Sequence, residues 1–312
     1  MITKPTQMDF SNKKFNIIIA GVPGIGKTTL ALSAPKPLLI DFDKGVSRVE
    51  AKYRQDTMTA SSVQEVRTEL TTTDLSDYET IVLDTGGKLF ELMKPEIIKE
   101  NPKAGKSDGS LSLQGYGIAK RKYHDFLEFL KSLNKHLVII FHASEVVLDE
   151  ETKLTGLRIR IEGSSRDEVW DDADLGGFLE MKGNKRTIGF SNCDRYYAKG
   201  THGIQGLYEI PNLKEGKANT FLTDLIDKAH ADLAQENKEF FEYKKVMASK
   251  VLIDSADDLE KLNKAFNTIC GLTHRLTSKE ELWFALTERA KALGAHYDKA
   301  GKQFVADNPI TA

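Results

Sequence analysis

Nine residues near the start of the chain carry glycine and lysine at the spacing of a phosphate-binding loop. Residues 21–29 read GVPGIGKTT and fit the pattern G-x-x-x-x-G-K-[ST]. In such a loop, glycines let backbone N–H groups turn inward onto a phosphate, and the start of the following helix adds positive partial charge. Lys27 supplies a point charge for the outer phosphates, and the Thr28 hydroxyl is a ligand for Mg²⁺. The pattern predicts that a nucleoside triphosphate is bound by Gly21, Val22, Pro23, Gly24, Ile25, Gly26, Lys27, Thr28 and Thr29.

Hydrolysis requires a second metal anchor and a group that orients water. Asp84 ends the apolar run TIVLD and is the predicted second Mg²⁺ anchor; the alternative is an aspartate that caps the next turn. The next residue is Thr85, whereas the AAA+ class carries a catalytic glutamate at that position. The water-orienting carboxylate must therefore come from elsewhere. We predict that this carboxylate is Asp43, at the end of the strand that follows the phosphate-loop helix. Asp41 is the alternative.

His142 follows the apolar run 137–141, so it is predicted on the ligand side of the sheet. A polar side chain there can sense the γ-phosphate and relay its presence to a neighbouring loop. The alternative is a histidine satisfied within the core. A GTPase is disfavoured because no N-K-x-D motif follows, although residues 84–87 fit D-x-x-G. A small-molecule kinase is disfavoured because no arginine-rich lid is evident.

These residues must be positioned by a sheet. Four short apolar runs predict buried strands, over 15–20, 37–43, 80–84 and 137–142. Helical patterns alternate with them, notably over 116–133, which predicts a parallel sheet covered on both faces. Alternating runs at 157–161 and 186–190 predict strands or hairpins at the far edge. Residues 94–117, rich in glycine, serine and lysine, predict a long mobile loop.

The predicted fold class is therefore α/β, with a mainly parallel central sheet and a small C-terminal helical module. A polar stretch at 211–219 predicts a boundary between residues 1–220 and 221–312. The second segment carries 13 lysines and arginines against 15 carboxylates. That balance favours protein contact or oligomerisation over DNA binding for this segment.

The composition of the chain limits the classes of protein to which it can belong. The 312 residues are 40% hydrophobic and 29% charged with a net charge of −2, so any nucleic-acid contact must use local patches. Two cysteines cannot form a disulfide framework, and we expect neither a signal peptide nor a membrane span. The expected location is the cytoplasm.

Four motifs in order, GVPGIGKTT, LLIDFD, TIVLDT and LVIIFH, resemble the RecA-like P-loop ATPase core over residues 13–205. They are most similar to the single-domain RecA-related ATPases of bacteriophages that act in single-strand annealing or recombination. The resemblance implies that Asp43 takes the place of the catalytic glutamate in I-D-x-E, one methylene shorter. It also implies a polar sensor at His142, and a role for Lys199 at the nucleotide of a neighbouring subunit.

The same resemblance implies contact with single-stranded DNA through loops on one face of a ring or filament. The candidates are Lys103 and Lys106 in the 99–117 segment, the run Lys120, Arg121 and Lys122 after it, and the loop after His142. Lysine and arginine there give salt-dependent, sequence-independent binding. The implied cofactors are ATP and Mg²⁺. The implied partners are single-stranded DNA, further copies of the chain and a single-strand binding protein, in a bacterial cytoplasm.

The function expected is therefore an ATP-binding, ATP-hydrolysing protein of annealing or homologous recombination. The alternative is a nucleotide-controlled switch ATPase that acts through a protein partner bound by residues 221–312.

Overall fold

The computed structural model describes residues 2–151, 153–162 and 169–307. Contacts divide the chain into two compact units, Asn12–His230 and the pair of segments Met1–Ser11 and Ala231–Ala312. Within the described ranges, every helix is too short or too polar to cross a lipid bilayer. The predicted phosphate loop lies in the first unit.

The first unit is built on a nine-stranded sheet, counted over the described residues. Its strands are β1 (Asn16–Gly21), β2 (Pro37–Asp41), β3 (Thr57–Met58), β4 (Thr80–Asp84), β5 (His136–Asp149), β6 (Leu154–Ile159), β7 (Leu175–Lys182), β8 (Lys185–Gly189) and β9 (Leu207–Glu209). The spatial order is β3-β2-β4-β5-β1-β7-β8-β9, and β6 pairs with β5. The strands from β3 to β7 in this order run parallel, and β6, β8 and β9 are antiparallel to their neighbours.

The helices that connect these strands include α1 (Lys27–Ala31), α2 (Val63–Thr72), α3 (Gly86–Glu100) and α4 (Leu113–Ser132). The central strands are buried along their length, which explains why their sequences are continuous apolar runs rather than alternating ones. The predicted α/β fold with a mainly parallel sheet is confirmed.

The register brings the carboxyl ends of the parallel strands to one edge. Gly21 at the end of β1 lies opposite His142 of β5 and Leu179 of β7. Asp41 at the end of β2 lies opposite Asp84 at the end of β4. Because ligands of open parallel sheets bind at this edge, the predicted site residues are collected where chemistry is expected.

Two predicted loops are wrong. The proposed loop 94–117 is mostly helical: α3 continues through Pro95 because Met93 and Ile97 extend its buried face. Helix α4 then begins at Leu113, where the Ser112 side chain accepts a hydrogen bond from the Gly115 N–H. Only residues 101–112 connect the two helices. The proposed loop after His142 is strand, since β5 runs on to Asp149 and pairs with β6.

The second unit contains most of α5 (Phe221–Ala248), then α6 (Lys250–Asp254), α7 (Leu259–Cys270) and α8 (Ser278–Ala292). It ends in a hairpin of β10 (Ala295–Asp298) and β11 (Gln303–Ala306), where an entirely helical segment had been predicted. The hairpin forms because Phe304 buries its ring against Phe266 and Tyr297.

The division between the two compact units falls inside α5, after His230. The domain boundary after residue 220 stays a prediction. Leu222 is fully buried, and its N–H donates to the Ser33 hydroxyl at 2.9 Å. The first turns of α5 are thereby tied to the segment that follows α1.

Candidate nucleotide-binding site

The phosphate loop connects β1 to α1 and depends on its glycines. Gly24 and Gly26 have φ angles of 78° and 95°, in the left-handed region that side chains rarely adopt. A Cβ on Gly21 would lie 2.9 Å from the carbonyl oxygen of Leu179, so the loop also needs glycine where it leaves the sheet. Helix α1 is only five residues long. The anion site therefore depends on the N–H groups of the loop and on Lys27 more than on a helix dipole.

Lys27 is buried within this loop, and its Nζ donates to the carbonyl of Val22 at 2.8 Å. Burial lowers the pKa of Lys27 to about 8; nearby Asp84 raises the pKa and Arg160 lowers it further. The ammonium is nevertheless charged at neutral pH. It is a desolvated cation, which interacts more strongly with a phosphate than an exposed lysine does.

Thr28 and Asp84 meet as predicted for a metal site. The Thr28 hydroxyl donates to Oδ2 of Asp84 at 2.6 Å. Thr28 follows β1 and Asp84 ends β4, and β5 lies between these two strands in the sheet. Burial raises the pKa of Asp84 to about 6; the Thr28 hydrogen bond opposes that shift, and Asp41 and Asp43 add to it. A hydroxyl and a carboxylate are hard oxygen ligands of the kind Mg²⁺ takes. These two residues would hold the ion, and it would supply positive charge that stabilises the bound phosphates.

The two candidates for the water-orienting base, Asp41 and Asp43, have different surroundings in the structure. Asp41 is buried, and its carboxylate accepts hydrogen bonds from the N–H groups of Gly45 and Val46 at 3.0 and 2.9 Å. Both of its oxygens are thus used to shape the turn after β2. Asp43 instead lies at the mouth of the site, where its Oδ2 pairs with Arg48 at 2.7 Å.

His142 lies beside Asp43, with 4.0 Å between its Nε2 and Oδ2 of the aspartate. Its Nδ1 is buried and has no hydrogen-bond partner among the described residues. Burial lowers the pKa of His142; Lys27 lowers it further and Asp43 opposes the shift. The imidazole is therefore neutral at pH 7, with one ring nitrogen free to act as donor or acceptor.

Thr85 is the N-cap of α3. Its side chain accepts a hydrogen bond from the N–H of Lys88 at 3.2 Å, and the residue is buried. The position after Asp84 therefore starts a helix and offers no carboxylate to a water molecule.

Beyond Asp43 and His142 an open cleft of about 380 Å³ continues the site. Its lining includes Asp43, Thr85, Lys88, His142, Arg158 and Arg160. The N–H of Arg160 donates to the carbonyl of His142 at 2.7 Å, so this arginine is held next to the predicted sensor. The sequence-based list missed Arg158 and Arg160. Alternation in residues 157–161 indicated a strand, but nothing in it indicated which end of the sheet that strand reaches.

The five predicted DNA-contacting residues are not part of the lining of this cleft. Lys103 and Lys106 are exposed in the connection 101–112, and the other three lie within α4. Of these, Lys122 pairs with Glu100. Their role in DNA binding stays a prediction.

Lys199 is placed differently from the phosphate-loop residues. Its backbone pairs with Gly176, which is level with Ile18 in the body of β1. Its Nζ donates to the carbonyl oxygens of Trp170 and Asp171 at 3.3 and 2.9 Å. The structure does not bring Lys199 together with the phosphate loop of its own chain, and its action on a neighbouring subunit stays a prediction.

A glycine loop between a buried strand and a helix, with a buried lysine and a Thr–Asp pair behind it, defines a P-loop nucleotide-binding protein. Comparison with protein families agrees. Residues 13–202 match the model of the AAA domain, and the chain belongs to that family. No curated protein matches the chain. The family and the fold are those of nucleotide-binding ATPases. The match does not assign the chain to the phage recombination branch.

Proposed function

We propose that this AAA-domain protein binds Mg²⁺–ATP at the phosphate loop and hydrolyses it. The observation that carries the proposal is the 2.6 Å hydrogen bond between Thr28 and Asp84 beside the buried Lys27. These groups belong to separate elements, and they converge on the spot where a bound phosphate and its metal would lie. Lys27 neutralises the outer phosphates, while Thr28 and Asp84 hold the metal.

Asp43 is the proposed water-orienting base. Its partner Arg48 has a side chain that is 69% exposed, so this ion pair is weak and the carboxylate can turn toward a water molecule. His142 lies on the other side of the same carboxylate, where its neutral ring can contact the γ-phosphate. The two side chains thus connect the presence of the γ-phosphate to the orientation of the attacking water.

ATP turnover and ATP affinity, measured separately, test these roles. Asp43→Asn should bind ATP within about twofold of the parent but turn it over roughly 10²–10⁴-fold more slowly. Lys27→Ala should lose binding. Asp77→Asn, an exposed surface carboxylate, serves as the matched control. Normal turnover by Asp43→Asn would refute its assignment as base. ATP binding by the parent without any turnover would restrict the site to binding and assembly.

We propose further that the protein binds single-stranded DNA and promotes annealing or homologous recombination as a ring or filament of RecA-like subunits. The motif order supports this, together with exposed cations: among the described residues, Lys103 and Arg121 take part in no ion pair. ATP would then lie between the phosphate loop and a neighbouring subunit, and a single-strand binding protein is an expected partner.

The DNA proposal is tested by binding of labelled single-stranded DNA with and without ATP. Replacing Lys103, Lys106 and Arg121 together by alanine should weaken DNA binding. The slope of log affinity against log salt concentration should also become less steep, by about one per lost phosphate contact. Replacing three exposed lysines of the second unit is the matched control. No DNA binding at low salt in either nucleotide state would refute the proposal.

A specific observation favours the alternative, a switch that acts through a protein partner. The second unit carries an open groove of about 880 Å³ lined by Met247, Phe284, Ala285 and Ala292, with Glu280 and Glu288 also in its lining. Phe284 is 66% exposed there. A partner segment with apolar and basic side chains would fit it. Phe284→Ser should abolish capture of that partner without changing ATP turnover, whereas a change in DNA affinity alone would contradict the switch.

A further inference from the structure

Arg186 is the second residue of β8, in the hairpin that follows the strand next to β1. The hairpin turns at residues 183–184, and Arg186 pairs with Met181 of β7. In the same strand, Leu179 lies opposite Gly21, the last residue of β1. Arg186 therefore stands two positions beyond the end of β1. That is the height at which the phosphate loop leaves the sheet.

The side chain of Arg186 turns toward the loop. Its Nη1 lies 2.5 Å from the point at which a Cβ on Gly26 would be placed. Gly26 is the last glycine of the loop, directly before Lys27. The guanidinium thus lies close to the loop at Gly26, whereas the Lys27 ammonium is held by the Val22 carbonyl.

Arg186 is half-buried, and within the described ranges its side chain has no ion pair and no hydrogen bond. Two other cations near it are paired: Lys185 with Glu209 at 2.7 Å, and Arg195 with Glu180 at 3.4 Å. A partly desolvated arginine without a carboxylate partner is costly to maintain unless an anion joins it. Its planar fork matches two oxygens of a phosphate.

We propose that Arg186 is a nucleotide-binding residue that contacts the phosphate chain from the hairpin side of the loop. This inference rests on the proposed nucleotide binding and extends it to an element outside the phosphate-loop motif. The ligand is then held between two cations, Lys27 from within the loop and Arg186 from β8. Because the backbone of a phosphate loop cradles the α- and β-phosphates, an arginine against Gly26 would contact phosphates that ATP and ADP share.

Calorimetric titration with Mg²⁺–ATP and Mg²⁺–ADP tests the proposal. Arg186→Ala should weaken both ligands about 10- to 100-fold, the range of a charge-assisted hydrogen bond. Arg186→Lys should recover part of the loss, because it keeps the charge but not the fork. Lys185→Ala, which removes the neighbouring paired cation, should change affinity by less than about twofold.

Arg186→Gln keeps the packing stem and removes only the charge, and a thermal melt without nucleotide identifies any variant that fails to fold. Parent-like affinity of folded Arg186→Gln and Arg186→Ala, with binding lost in Lys27→Ala, would overturn the role of Arg186 and leave the proposed function standing. Parent-like affinity in Lys27→Ala as well would overturn the nucleotide site itself.

Discussion

Replacement of Asp84 by asparagine should stabilise the nucleotide-free protein while removing its metal site. Burial raises the pKa of this carboxyl from 3.8 to about 6. The folded protein therefore holds the proton more tightly than the unfolded chain does. The stability that this group contributes is fully present below pH 3.8 and is lost as pH rises through about 6. Asparagine removes that loss and still offers an oxygen to the Thr28 hydroxyl, which now donates to the carboxylate at 2.6 Å.

The size of the gain follows from the two pKa values. Linkage gives an advantage for Asp84→Asn of about 3 kcal/mol at pH 7, which falls to about half of that at pH 5 and to less than about 1 kcal/mol at pH 4. Urea unfolding without nucleotide measures it. The probe is Trp170, which is buried in the same compact unit, with Trp283 replaced by phenylalanine in every variant. Asp43→Asn is the control, because it removes an exposed ion pair and brings no comparable gain.

The same variant should lose Mg²⁺-dependent ATP affinity, since a neutral amide is a poorer ligand than a carboxylate. Addition of Mg²⁺–ATP should therefore raise the unfolding free energy of the parent far more than that of Asp84→Asn. An asparagine variant less stable than the parent at pH 7 would refute the reasoning. A stability advantage of Asp84→Asn that does not become smaller toward pH 4 would also refute it.

Three further outcomes are expected. Gly26→Ala should abolish ATP binding and lower the free energy of unfolding by about 1–2 kcal/mol, because a side chain is strained at the φ of 95° that Gly26 adopts. Parent-like ATP affinity in calorimetry would contradict this. ATP affinity should fall about tenfold between pH 7 and pH 9, because Lys27, whose pKa burial lowers to about 8, passes from about 90% to about 10% protonated; a flat profile would exclude a charged Lys27 in binding. His142→Gln should keep ATP affinity and slow turnover at least about tenfold, and unchanged turnover in a phosphate-release assay would remove His142 from the mechanism.

The sheet and the centre of the site could be predicted because their signals are local. Continuous apolar runs mark buried parallel strands, and a polar residue directly after such a run must lie at the ligand edge. This rule placed Asp84 and His142 without knowledge of the strand order. The phosphate-loop motif likewise defines its own geometry through glycines that need positive φ angles.

The parts that could not be predicted depend on long-range pairing. Strand β7 contains two glycines and ends in charged residues, and only its parallel pairing with β1 makes it a central strand. Arg160 and Arg186 are arginines in alternating segments, and such residues usually face solvent. Arg160 comes near the site because it follows β6 where that strand returns to Ala143 at the sheet edge, and Arg186 because β8 begins past the end of β1. The terminal hairpin was missed because its two strands are short and only one residue, Phe304, provides most of its burial.

Strand β5 has a mechanical consequence. It is one continuous strand of 14 residues, about 45 Å long at the usual rise per residue. Its first half lies between β1 and β4, and its second half pairs with β6, whose Leu157 also bridges to Tyr196. His142 lies where the first half ends and the second begins. A displacement of the second half would therefore reach His142, and with it the neighbouring Asp43, along one strand.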